Sequence, residues 1–96
     1  MLAVARAKVK LFTTLREITG TKEIDLAAEN ISEVLGQLTE RFGKKFVDAV
    51  YDPQTGELRP YYRILVNGRG LDPKTDLEKP LGEDDVIAIF PPVGGG

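Results

Sequence analysis

The sequence contains no cysteine and no histidine. The lack of cysteine excludes disulfides, thiolate nucleophiles and zinc sites with cysteine ligands. The lack of histidine removes the commonest general base and metal ligand in proteins. Only carboxylates, lysines, hydroxyls and the two chain termini remain for chemistry. A catalytic role and a resident metal are therefore both disfavoured.

The chain also lacks the features that direct proteins to membranes and nucleic acids. No apolar run approaches the roughly 18 residues of a membrane span, and the opening MLAVARAKVK becomes basic too early for a signal peptide. A formal net charge of −2 gives no general attraction to nucleic acid or to an anionic membrane. We therefore expect a cytoplasmic protein with neither kind of partner. The 96 residues fit one domain with one hydrophobic core.

The hydrophobic pattern predicts a β-sheet. Alternating polar and apolar residues indicate strands at Lys8–Phe12 and Glu23–Ala27, joined by a long structured loop. A third strand is predicted at Tyr62–Val66, and Asn67-Gly68 is a strong signal for a turn before a short further strand. Val86–Phe90 is apolar throughout, which is typical of a strand that is central in its sheet or covered on both faces.

One main helix is predicted between the second and third strands. Asn30 and Glu33 form a capping-box pattern at its start, and Gly43 is a favourable stop. Gly36 inside the helix costs on the order of 1 kcal/mol relative to alanine, and close packing is one explanation for it. Lys44–Val50 either extends this helix or forms a second short helical turn. The sequence thus predicts an α+β roll, with a mixed sheet of four to five strands packed on one main helix.

The sequence ends in FPPVGGG, which we interpret as a tail on a domain formed by residues 1–90. The two prolines cannot donate to a sheet ladder and favour extended geometry, while glycines without Cβ atoms can enter a narrow channel. Six extended residues reach about 20 Å, far enough to bring the terminal carboxylate into another protein's active site. Such a carboxylate acylates only after activation, for example by adenylation. The predicted flexible tail consists of Pro91, Pro92, Val93, Gly94, Gly95 and Gly96.

Nearly the whole chain resembles the MoaD/ThiS sulfur carriers, which are ubiquitin-like β-grasp proteins. The resemblance is strongest in KVKLFTTLREITG, RILVNGR and PLGEDDVIAIFPPVGGG, and FPPVxGG looks like the small subunit of molybdopterin synthase. It implies that a MoeB-like activating enzyme uses ATP to adenylate Gly96, which then becomes a thiocarboxylate, with Gly95 completing the diglycine. The sulfur would pass to a pterin precursor on a MoaE-like large subunit. The chain itself would bind no cofactor and would not be an enzyme.

The resemblance also implies a surface for partner proteins. Phe12 and Phe90 fall where the family presents apolar surface, although burial in the core is an equal alternative for the pair. Arg16 matches a position near that surface, and a solvated loop position is its alternative. Two departures from the family pattern are Gly94, where a larger residue is common, and Glu83-Asp84-Asp85, where Asp-Gly-Asp is common.

Several charged groups have a structural and a functional interpretation. The acidic cluster Glu83–Asp85 either steers a basic partner towards the tail or forms a solvated turn, and a divalent ion there is disfavoured. Arg6, Lys8 and Lys10 alternate along one strand, which indicates a solvated face and not a nucleic-acid site.

Other functions share the same activated terminus. The sulfur acceptor could instead belong to tRNA thiolation or thiamine synthesis. Gly96 could also be joined to lysines of target proteins, as ubiquitin is. A β-grasp interaction module whose tail has no chemistry is a further alternative. The sequence does not separate these hypotheses.

Overall fold

The computed structural model describes residues 5–60 and 62–90. The predicted tail, residues 91–96, and the possible start of the first strand at Val4 lie outside the described residues. In chain order the elements are β1 (Ala5–Leu11), α1 (Thr14–Thr19), β2 (Glu23–Ala28), α2 (Ile31–Phe42), α3 (Lys44–Val50), β3 (Arg63–Val66), β4 (Arg69–Gly70) and β5 (Val86–Phe90).

The five strands form one mixed sheet in the order β2-β1-β5-β3-β4. β5 runs parallel to β1 and antiparallel to β3, and the other pairs are antiparallel. The central position predicted for the last strand is confirmed, because β5 is hydrogen-bonded on both edges. A parallel pairing of the first and last elements requires the intervening chain to cross over the sheet, and the helices lie in that crossover.

The core lies between one face of the sheet and the helices. In β1 every second residue is buried, and in β5 Ile87 and Ile89 are buried while their neighbours are half-buried. A stripe of apolar residues on α2 covers this face, as its helical period predicts. The largest fully buried side chains are Phe46, Leu11, Leu15, Ile31, Leu38, Ile87 and Ile89.

The start of α2 confirms the predicted cap with one difference. Asn30 Oδ1 accepts a hydrogen bond from the Glu33 amide at 2.9 Å. The Glu33 carboxylate accepts from the amide of Glu29 at 2.9 Å, one residue before the position that a capping box uses. Gly43 ends the helix with φ 68°. The close packing considered for Gly36 is not found, because no described heavy atom other than those of its chain neighbours and its own helix backbone lies within 4 Å of where its Cβ would be.

Two short helices flank α2. The predicted loop after β1 contains α1, whose Leu15 is fully buried and whose Thr19 hydroxyl donates to the Leu15 carbonyl at 2.9 Å. The predicted hairpin with a long structured loop is thus present, but the helix within the loop was not predicted, because six residues are too few to show a clear helical period. Lys44–Val50 forms a separate helix, α3, because Gly43 breaks the backbone and Phe46 and Val50 then point into the core.

The predicted turn between β3 and β4 is confirmed, and it is tied to the start of β5. Asn67 and Gly68 have φ values of 53° and 83°, the conformation that a two-residue hairpin turn requires. The Asn67 amide accepts from the Val86 backbone at 2.9 Å and donates to Asp85 Oδ1 at 2.8 Å. This side chain therefore fixes the two ends of neighbouring strands relative to each other.

The acidic cluster before β5 forms a structured turn. Asp84 has φ 65°, in the left-handed region that aspartate tolerates better than most residues. The Asp85 carboxylate accepts from the amide of Gly82 at 2.7 Å, and that of Glu83 accepts from the amide of Arg6 at 2.6 Å. Two of the three carboxylates thus accept hydrogen bonds from backbone amides, one within the turn and one in β1, which supports the turn interpretation.

The loop between β4 and β5 packs on the core through Leu77 and Leu81. Within it, Asp76 Oδ2 accepts from the backbone amide of Asp72 at 3.0 Å, and its Oδ1 lies 2.9 Å from the Lys79 ammonium. The Asp72 amide first, and then Lys79 and Thr75, lower the pKa of Asp76 from 3.8 to about 2.

We expect Asp76→Asn to remove a pH-dependent part of the stability. A carboxyl group with a lowered pKa stabilises the fold above its unfolded pKa of 3.8, and this contribution is lost as the pH falls towards 2. Urea unfolding should therefore show the variant less stable than the wild type at pH 7, with the difference shrinking below pH 4. A difference that stays constant down to pH 2 would contradict this account. Glu78→Gln in the same loop is the matched control and should show no such trend.

Candidate partner-binding surface

The strand register leaves one face of the sheet without helices. Lys10 neighbours Ala88 on β5, and Ala88 in turn faces Leu65 on β3. Residues paired across strands share a face, so Lys10, Ala88 and Leu65 lie on one face of the sheet. The buried Ile87 and Ile89 lie on the other face. The Lys8 ammonium on the same face forms an ion pair with Glu23 of β2 at 3.3 Å.

The two phenylalanines predicted at a partner surface meet on this open face. Their rings stack with centroids 4.6 Å apart and an interplanar angle of 24°. Phe12 follows β1 directly, and Phe90 is the last residue of β5. Both rings are half-buried, and neither belongs to the core cluster nor packs against it. The alternative of burial in the core is therefore wrong for this pair.

Arg16 lies beside the aromatic pair. Its guanidinium carbon is 5.9 Å from the ring centroid of Phe12, within the range of a weak cation–π contact. Its Nε donates to the backbone carbonyl of Leu11 at 3.4 Å. The loop position considered for Arg16 is wrong, because the residue belongs to α1. The structure thus brings Phe12, Phe90 and Arg16 together at one end of the sheet.

Sequence reasoning missed three residues of this surface. Leu65, Val86 and Ala88 are half-buried, lie on the same open face as the phenylalanines and do not pack against the core. We call Phe12, Leu65, Val86, Ala88 and Phe90 the sheet-face patch. Their alternation with buried residues of the same strands was the signal that could have identified them. It was hidden in β5, where every residue is apolar.

The position of Phe90 relates this patch to the predicted tail. Phe90 ends the central strand of the sheet, so the chain leaves the described domain at the end of that strand, beside Phe12. The residues predicted to carry the chemistry follow directly but lie outside the described residues, so their role stays a prediction. They are Pro91, Pro92, Val93, Gly94, Gly95 and Gly96.

The described residues offer no arrangement typical of an active site. The largest cavity described is an open groove of about 590 Å³ beyond the Asn67-Gly68 turn, at the opposite end of β5 from Phe90, and Ile31, Leu71 and Leu81 line it. No polar side chain is fully buried in residues 5–60 and 62–90, and these residues contain no cluster of three potential metal ligands. Within the same ranges, no helix has the length and apolar character needed to cross a bilayer.

A mixed five-stranded sheet that packs on a central helix and releases its last strand into a glycine-rich terminus defines a ubiquitin-like β-grasp protein. Within that class, residues 9–96 match the ThiS family, and the chain belongs to this family. The α+β fold predicted from the sequence is confirmed, as is the resemblance to ThiS and MoaD proteins.

Similar proteins extend over almost the whole chain. The solution structure of small archaeal modifier protein 1 from Methanosarcina acetivorans has 34% sequence identity and a TM-score of 0.80, covering 99% of this chain and 100% of that one. Small archaeal modifier protein 3 from Haloferax volcanii is 28% identical over 92 residues, 93% of this chain and 97% of the relative. A protein of Archaeoglobus fulgidus, provisionally named a sulfur carrier protein, is 30% identical over 89 residues, with the same coverage of 93% and 97%.

Proposed function

We propose that this protein is a sulfur carrier that acts as the small subunit of molybdopterin synthase. The observation that carries the proposal is the exit of the chain at Phe90, which belongs to a half-buried apolar patch on the open face of a ThiS-family fold. A partner that covers the sheet-face patch is positioned to receive the terminus. The FPPVxGG ending, which resembles that of the synthase small subunit, supports molybdopterin as the product.

The chemistry takes place on the terminal carboxylate of Gly96. Its oxygen attacks the α-phosphate of ATP on a MoeB-like activating enzyme, and pyrophosphate leaves. A sulfide nucleophile then attacks the carbonyl carbon and displaces AMP, which leaves a thiocarboxylate. The pterin precursor on a MoaE-like large subunit accepts the sulfur. This chain supplies the terminus and contacts its partners through Phe12, Arg16 and Phe90, and it binds no cofactor of its own.

The direct test is the mass of the intact protein isolated from its native host. Replacement of one carboxylate oxygen by sulfur adds about 16 Da, and fragmentation should place the added mass on Gly96. The same change should appear after incubation with ATP, a sulfide source and the activating enzyme of the host. An unchanged mass in both experiments would favour an interaction module without tail chemistry.

A second candidate function is protein modification, which the similarity to two small archaeal modifier proteins supports. In this case the activated Gly96 carbonyl forms an amide with a lysine of a target protein and displaces the activating group. Glycine remnants on lysines of host proteins, detected after proteolysis, would show it. Sulfur transfer to tRNA or to a thiamine precursor requires the same thiocarboxylate, so only the sulfur-containing product distinguishes those acceptors.

A further inference from the structure

We propose that the sheet-face patch recognises a partner surface in which carboxylates surround an apolar centre. The proposal rests on the proposed function, which requires a partner to receive the tail, and it specifies the chemistry of that partner.

Two cations border the patch on opposite sides. Lys10 lies beside Ala88, and Arg63 faces Phe90 across β3 and β5. Two strand spacings and two residues along the strand separate their backbones by about 12 Å. Carboxylates that meet both cations would therefore have to flank an apolar group that sits on Ala88 and Phe90 of the strand between them.

Neither cation is neutralised within the described chain. No carboxylate of residues 5–60 or 62–90 forms an ion pair with Lys10 or Arg63. Glu23, which faces Lys10 across β1 and β2, pairs instead with Lys8 at 3.3 Å. The Arg16 guanidinium adds a third positive group beside Phe12. A partner's carboxylates would thus meet cations that have no internal partner.

The open face carries a positive net charge, whereas the whole chain carries a negative one. Its outward strand residues include four cations, Arg6, Lys8, Lys10 and Arg63, and two anions, Glu23 and Asp25. The chain as a whole has a formal charge of −2. Both anions lie on the edge strand β2, two strands away from the strand that leads into the tail. The half of the face beside the tail is therefore the more positive half.

A protein fits this surface better than a nucleic acid or an anionic membrane. Both of these present continuous negative charge, which Glu23, Asp25 and the negative chain would repel. The apolar, half-buried centre is typical of the middle of a protein interface, with charges at its rim. Rim charges mainly set the rate of association and its dependence on salt.

The experiment titrates the full-length ¹⁵N-labelled protein with two synthetic peptides. Both have the centre Leu-Phe-Leu, and two glutamates flank it on each side in one peptide and two lysines in the other. We expect the glutamate peptide to change the chemical shifts of the amide resonances of residues 8–12, 63–66 and 86–90. It should bind about tenfold more tightly than the lysine peptide. High salt should reduce this difference, since it screens exposed charges.

Charge-reversed variants test the two cations. The double variant Lys10→Glu and Arg63→Glu should bind the glutamate peptide about tenfold more weakly than the wild type does. It should bind the lysine peptide more tightly. The matched control is Lys45→Glu with Lys74→Glu, where both residues are exposed and lie outside the strands. The control should bind like the wild type. All four substitutions are at exposed positions, so a heteronuclear spectrum can verify that both variants fold.

The outcomes distinguish this inference from the proposed function. Equal affinity for the two peptides, binding of neither, or shifts that map away from the sheet-face patch would overturn it. So would tighter binding of single-stranded DNA or of phosphatidylglycerol vesicles at the same residues. Binding that follows the expected charge pattern, in a protein whose mass never changes at Gly96, would support the inference and reject the sulfur-carrier proposal.

Discussion

Deletion of Gly96 should abolish detectable thiocarboxylate and molybdopterin formation. The shortened chain still ends in Gly-Gly, because three glycines close the sequence. The deletion therefore tests the length of the tail and not the chemical nature of its terminus. It withdraws the carboxylate by about 3.5 Å. A misplacement of only about 1 Å at a reacting centre can cost about 100-fold in rate, so we expect activity below detection.

The same deletion should leave the melting temperature unchanged. The core cluster of the described residues extends from Ala7 to Ile89 and includes nothing near the terminus. Intact mass after incubation with ATP, sulfide and the activating enzyme measures the first effect, and calorimetry measures the second. A chain lacking Gly96 that still gains about 16 Da and yields product would refute the proposed role of this residue.

Gly94→Ala is the matched control for reach. It keeps the length of the tail and the terminal Gly95-Gly96, and it adds one methyl group where the family often has a larger residue. We therefore expect it to be thiocarboxylated like the wild type. Loss of activity in this variant as well would point to a channel that requires glycine at this position.

Phe46→Ala should destabilise the fold more than any surface change considered above. Phe46 is the largest fully buried side chain in the described residues, with 0% of its surface exposed. Removal of a buried phenylalanine side chain costs about 3–5 kcal/mol, through lost burial and the cavity that remains. Domains of this kind have a total stability of only about 5–15 kcal/mol. We expect the midpoint of thermal unfolding to fall by roughly 20 °C.

Phe12→Ala makes the same chemical change outside the core. It removes one ring of the stacked pair with Phe90, for which we expect a cost of only about 1 kcal/mol. Urea unfolding of both variants measures the contrast in free energy. If the two substitutions cost the same, then Phe12 is as important to folding as Phe46, and its assignment to a partner surface loses its support.

The predicted parts of the fold were those with a strong local signal. α2 shows a helical period, an N-cap and a stop glycine, and the Asn67-Gly68 turn has a conformation that few residues adopt. α1 was not predicted, because six residues are fewer than two full turns. The separation of α3 from α2 was left open, since both alternatives place Phe46 and Val50 on an apolar face. Tertiary packing decides such cases.

The candidate site was also predictable only in part, because tertiary structure decides which side chains of a strand face outward. The resemblance to the family pointed to the pair Phe12 and Phe90, while the role predicted for the tail stays a prediction. Leu65 and Ala88 were missed, because the exposed face of an apolar strand is fixed by its register with its neighbours. That register depends on a parallel pairing between residues nearly 80 positions apart, Lys8 with Val86, which no local pattern encodes.

The central position of β5 affects how this protein binds its partners one after another. Because the tail follows Phe90, which is itself part of the sheet-face patch, any protein that binds both the tail and this patch excludes every other such protein. If the protein is a sulfur carrier, as proposed, its activation and its sulfur delivery take place in separate complexes, with complete dissociation between them. Very tight complexes would trap the carrier, since association rates vary little and residence time grows with affinity. Selection for turnover should therefore favour short-lived complexes at this surface, and the chemical state of Gly96 would decide which enzyme retains the protein next.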